Sequence, residues 1–176
     1  MARNRYMKDY RLIEQVDERG RIHTDYEYIG KDYRYAAGLE TVRREKRAVT
    51  VLCALGWLAY LGGLVPNSGA MHAVYAALPY LFAALPLGFL TDVILTAMPD
   101  REPLRHSQAD KLEKRYPAAS MWTAILAAAS LAGGLARLAL RGGGWEDIPF
   151  FLCAALLAGV GFFAFSRRGR FACLEK

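Results

Sequence analysis

Four long apolar stretches divide this chain of 176 residues, approximately Ala48 to Val65, Met71 to Met98, Ala118 to Leu140 and Ile148 to Ser166. A helix needs roughly 20 apolar residues to cross the hydrocarbon layer of a bilayer, and each stretch is long enough. Hydrocarbon offers no partner to an exposed backbone N–H or C=O, which leaves helices and closed barrels as the spanning structures. Continuous apolar runs such as Val49 to Tyr60 lack the alternation of a barrel strand, so helices follow. The expected fold class is an all-α integral membrane protein with four transmembrane helices. They form two helical hairpins (48–98 and 118–166), accompanied by a charged leader (1–47), a basic loop (99–117) and a basic tail (167–176).

Orientation follows from the distribution of Lys and Arg. Of 23 such residues, 21 lie in the leader, the loop and the tail; the link 66–70 has none, and Arg137 and Arg141 flank the last link. The positive-inside tendency then puts both termini in the cytoplasm. The first apolar run begins only at Ala48, behind a charged leader without an apolar core, so the first span reads as a retained signal anchor. A bacterial plasma membrane is the expected setting. The net charge of +6 does not call for nucleic acid, because the leader is nearly balanced and the remaining basic residues border the spans. Anionic lipid headgroups are the simpler partner.

Within the leader, the chain alternates from Tyr10 to Val16 and again from Arg21 to Tyr28, with β-formers at Leu12, Val16, Ile22, Thr24, Tyr26 and Tyr28. Glu18-Arg19-Gly20 is a turn signal between them, and a β-hairpin is predicted. Tyr33 and Tyr35 offer a third strand of a meander, and Ala36 to Arg47 a helix leading into the first span. The competing reading is a disordered charged arm, since large aliphatic residues are few. In the loop, Ser107 and Asp110 suggest a helix N-cap, with Leu104, Leu112 and Tyr116 lying on the bilayer surface or in a solvated connector.

Small residues recur four apart at Ala124, Ala128, Ala132 and Ala136, at Ala59 and Gly63, and at Ala155 and Gly159. Such stripes let backbones approach closely, and they are read as helix-packing faces within one subunit or between copies. Pro79 and Pro86 are hinge candidates in the long second span, where each removes one backbone donor. The competing reading is a kink that fits the helix to its neighbours. Asp92 is the acid placed well inside a span, hence an ion or proton site candidate or a structural pair. Its candidate partners are Arg47, Arg167, Thr91 and Thr96, while Arg137, near the opposite end, either pairs with Glu146 and Asp147 or snorkels to the headgroups. Trp122 and Trp145 read as interfacial anchors and Trp57 as buried packing.

Gly88-Phe89-Leu90-Thr91-Asp92 resembles the opening of the loop motif that follows the second span of major-facilitator transporters. Val93-Ile94-Leu95 then stands where that motif carries basic and glycine residues, and four spans replace twelve, so no family is inferred. His23, His72 and His106 fall in separate segments, and Cys53, Cys153 and Cys173 at different depths; no metal, cofactor, catalytic set or disulfide is expected. The functional expectation is a non-catalytic subunit or scaffold of a membrane complex, its cytoplasmic leader contacting a protein partner. The alternative is a small transporter or channel that forms its path by homo-oligomerisation around the kinked second span, with Asp92 on the path. A membrane enzyme is the third class, without a convincing acid, base or metal set to carry it.

Overall fold

The computed structural model describes residues 7–16, 22–65, 68–100, 102–142 and 144–175. Among these described residues are four helices long and apolar enough to cross a membrane, with a two-stranded and a three-stranded β-sheet beside them. Helix α1 (Leu39–Leu64) leaves the leader at Gly38, whose φ of 78° is a turn conformation that side chains other than glycine resist. The helix predicted for Ala36 to Arg47 starts three residues later, at Leu39, after a turn through Ala36 and Ala37, and runs on into the first apolar stretch as part of α1.

The second long helix is broken. Helices α2 (Val74–Phe82) and α3 (Ala84–Ala97) meet at Ala83. Pro86 has no N–H for the Phe82 carbonyl, and its ring crowds that oxygen, so the ladder gives way one turn earlier. The Ala83 N–H lies 3.0 Å from the Pro79 carbonyl and 3.1 Å from that of Tyr80, a tightened turn that absorbs the break.

The third helix starts well before the predicted Ala118. Helix α4 (His106–Asp110), a π turn (Lys111–Arg115) and helix α5 (Tyr116–Arg141) run on without a gap. Pro117 explains the wide turn: its ring would strike the Glu113 carbonyl in a regular helix, and the Tyr116 N–H reaches back to Lys111 instead. Helix α6 (Ile148–Ser166) has the predicted bounds.

Each long helix touches its sequence neighbours, and α6 closes the ring against α1, giving an up-and-down four-helix bundle. Its centre holds an aromatic stack, with Tyr60 and Tyr80 rings 5.4 Å apart and Phe150 5.2 Å from Tyr80. Tyr80 is fully buried, and its hydroxyl donates to the Ala59 carbonyl at 2.8 Å, which spares the bundle an unpaired phenol. A Cβ on Gly63 would overlap that hydroxyl, so the α1 stripe Ala59 and Gly63 packs inside the chain.

The other stripes do not pack inside the chain. Ala128, Ala132, Ala136, Ala155 and Gly159 are exposed on the outer surface of the bundle, and Ala124 is half-buried. The inward face of α5 is instead Ala119, Ser120, Thr123, Ala127, Ser130 and Gly134. Ser130 ties it to α2 by donating to the Ala76 carbonyl at 2.8 Å, and Gly161 of α6 lets the α5 backbone approach, since a Cβ there would meet the Ala124 Cα at 2.9 Å.

The predicted hairpin is present as β1 (Tyr10–Val16) and β2 (Ile22–Tyr28), paired antiparallel with Tyr10 opposite Tyr28. The turn signal Glu18-Arg19-Gly20 lies outside the described residues, as does Pro66 in the link after α1. The meander is not formed. Strand β3 (Asp32–Tyr35) turns away from β2 and sits between β4 (Leu104–Arg105) and β5 (Cys173–Glu175), antiparallel to both. That placement buries Tyr35 and Leu104 on the end of the bundle, which pairing with the exposed hairpin would not do.

Candidate functional site

At one end of the bundle the start of α1, the end of α3, the α4–α5 helix and the segment after α6 converge, and the three-stranded sheet lies across them. We call this the basic end. Leader, loop and tail each contribute one strand, so three segments distant in sequence become one platform. Leu112 and Tyr116 are buried beneath it, as is Leu104, contrary to their expected place on the bilayer surface. The reason is the early start of the third helix, which draws Leu112 and Tyr116 into the core. There the Tyr116 hydroxyl finds an acceptor in the Ala164 carbonyl at 2.9 Å, and its ring meets Phe171 edge-on at 5.0 Å. The cap of α4 also differs from expectation: the side chain of Gln108 accepts from the Arg105 N–H at 3.0 Å, and Asp110 pairs with Lys114.

Charged groups lock the platform to the bundle. Glu45, 7% exposed on α1, forms an ion pair with Arg167, with Arg170 at 4.0 Å. Sequence reasoning missed Glu45 because it counted with the leader's charges. Its signal was the helical spacing Val42, Glu45, Val49, Cys53, the face that α1 buries. Lys46 bonds the Asp100 carboxylate at 2.9 Å, which holds that group below its ordinary range, and Arg43 donates to the Asp100 carbonyl at 2.9 Å. On the sheet, Lys31 reaches Glu175 at 2.6 Å, and the hydrogen bond raises the lysine above its ordinary value. Burial pushes the Cys173 thiol up to about 11.

The hairpin is clamped at its base. Asp9 lies 3.0 Å from His106 Nδ1, the His106 N–H donates to the Tyr28 hydroxyl at 2.9 Å, and Arg105 stands over the Tyr10 and Tyr28 rings. Burial raises the Tyr28 phenol above its ordinary value. Further out, Leu12, which pairs with Tyr26, is 60% exposed and Tyr26 63%, with Ile29 exposed as well.

Asp92 sits near the end of α3, half-buried, with Oδ2 3.2 Å from Lys111 Nζ. Lys111 also donates to the Thr96 hydroxyl at 2.8 Å, and that hydroxyl donates to the Asp92 carbonyl. Of the expected partners only Thr96 is engaged. Arg167 is taken by Glu45, Arg47 is exposed, and Thr91 accepts from Trp57 Nε1 at 3.0 Å while donating to Leu87. Pro79 and Pro86 flank the break at Ala83, away from Asp92.

At the far end, Asp147 is 3% exposed and accepts from Arg137 at 3.0 Å and from the Ala70 N–H at 3.1 Å. It pins the α1–α2 link to the α5–α6 link, and Arg137 has the acidic companion expected of it; Glu146 is exposed. Among the described residues no group of three His, Cys, Asp or Glu side chains could hold a metal ion, and the three cysteines are free. Compared with models of protein families, with curated proteins and with solved structures, the chain finds no match.

Proposed function

We propose that this chain is a non-catalytic subunit or scaffold of a membrane complex, whose leader hairpin docks a protein partner from the cytoplasmic side. The observation that carries this reading is the hairpin itself: a two-stranded ribbon fixed at its base by Asp9, Tyr28 and His106, yet presenting Leu12, Tyr26 and Ile29 to solvent. An isolated two-stranded ribbon is marginal in water, so an added strand or an apolar surface would complete it. The cytoplasmic side is supported by the Lys and Arg count, since leader, loop and tail, which carry most of those residues, each give a strand to the sheet at one end of the bundle.

The charged groups in the helices support scaffolding over transport. Glu45, Asp92 and Asp147 each hold a basic partner at an end of the bundle, and among the described residues no acid is paired beside the hinge prolines. The exposed small-residue face of α5 and α6, where backbones can come closest, is the face for self-association.

The test is affinity purification from membranes at native expression, comparing the full chain, a chain lacking residues 1–30 and the double variant Leu12→Asp/Tyr26→Asp. A stoichiometric partner that is lost from both altered chains is the expected result. Retention of the partner, or no partner with any chain, sinks the reading. Solute or ion movement in liposomes that Asp92→Asn abolishes would replace it with the transport alternative.

A further inference from the structure

A groove of about 610 Å³ runs along the outside of the bundle between α3 and α5. One wall is Phe82, Leu85, Pro86 and Phe89, and the other is Ala118, Ala119, Trp122 and Leu126, each set spaced as one helix face. The break at Ala83 shapes the first wall, and small alanines hollow the second. At the basic end the groove is closed by a single charged residue, Arg115.

Three cations lie on the π turn. Lys111 is held by Asp92 and Lys114 by Asp110, but Arg115 has no acidic partner among the described residues. From Arg115 to Leu126 the wall rises roughly 16 Å at 1.5 Å per residue, about the depth of one leaflet's hydrocarbon. An apolar slot of one-leaflet length with an unpaired guanidinium at its mouth is complementary to one amphiphile. We infer that the groove binds an anionic phospholipid, its acyl chain along Phe89, Trp122 and Leu126 and its phosphate on Arg115. The planar guanidinium suits a phosphate, to which it donates two parallel hydrogen bonds. This inference rests on the reading that the four helices cross a bilayer.

Trp122, 53% exposed along the groove, provides the readout. The full chain carrying Trp57→Phe and Trp145→Phe keeps Trp122 as its sole tryptophan. It is reconstituted in phosphatidylcholine liposomes with increasing fractions of acyl-brominated phosphatidylglycerol or acyl-brominated phosphatidylcholine. Bromine quenches tryptophan on contact, and half-maximal quenching is expected at an about fivefold lower fraction of the anionic lipid, the effect of one well-placed basic residue. Arg115→Gln should remove that preference, and Ala118→Phe, at an exposed position that fills the slot, should weaken quenching by both lipids. Equal quenching by the two lipids that Arg115→Gln leaves unchanged overturns the site. So does an unquenched Trp122 beside a quenched Trp57, tested as sole tryptophan outside the groove, since a second copy or partner helix would then fill the slot. If neither tryptophan is quenched by either lipid, the bilayer reading falls and the site falls with it.

Discussion

The two ends of the bundle solve the same problem with very different amounts of chain. Each is fastened by a buried carboxylate paired with an arginine, Asp147 with Arg137 at the far end and Glu45 with Arg167 at the basic end. At the far end the carboxylate also takes the Ala70 N–H, and so ties together the two links that close the hairpins. At the basic end the ion pair is the floor of a platform built from leader, loop and tail. The difference separates two roles for buried charge: at one end it finishes the fold, and at the other it joins the fold to a surface that can meet other molecules. Such a pair is a poor source of net stability but a strong constraint, because removing one member strands the other.

The sharpest way to break this comparison is to remove each carboxylate. Asp147→Ala leaves a 21% exposed arginine side chain and a backbone N–H without their acceptor, and should lower stability by about 3–5 kcal/mol in a denaturation series in mild detergent. Cys173 sharpens the other side. A thiol raised from its ordinary value of 9.0 to about 11 carries about a hundredfold less thiolate below pH 9. Alkylation of Cys173, followed by peptide mass spectrometry, should be about tenfold slower than that of a free thiol, since a more basic thiolate is also the better nucleophile, and should accelerate as pH rises towards 11. Ordinary reactivity would mean that the tail strand is not seated. Glu45→Ala should cost about 2 kcal/mol, less than Asp147→Ala, because Arg167 is 34% exposed and water can take over part of its solvation. A larger loss for Glu45 than for Asp147 would reverse the comparison. The smallest effect belongs to Lys111→Ala, under about 1 kcal/mol for a half-exposed pair with Asp92.

Much of this fold is legible in the sequence where a period is long enough to read. The 19 residues of α6 are apolar up to the terminal Ser166, and the alternation of Leu12 with its neighbours specifies a strand. What stays hidden has physical causes. Strand β4 is two residues long and carries no period, so its pairing with β3 has no local signature. The packing face of α5 is equally obscure, because outward-facing and helix-facing positions are both apolar; the buried hydroxyls of Ser120, Thr123 and Ser130 mark the inner side better than the alanine stripe does. Lys111 is invisible as the partner of Asp92 until Pro117 is seen to force a wide turn in place of a helix start. The groove, too, depends on how the broken α2–α3 helix leans on α5, which neither segment encodes alone.

The platform depends on leader and tail meeting in one sheet, and a cross-link reads that directly. Arg34 and Leu174 are opposed in β3 and β5. With the native cysteines replaced, Arg34→Cys/Leu174→Cys should form an intramolecular disulfide on mild oxidation in native membranes, identified by mass spectrometry of the linked peptides. A double variant that stays reduced, or links only between chains, would contradict the platform and the shared side of the two termini.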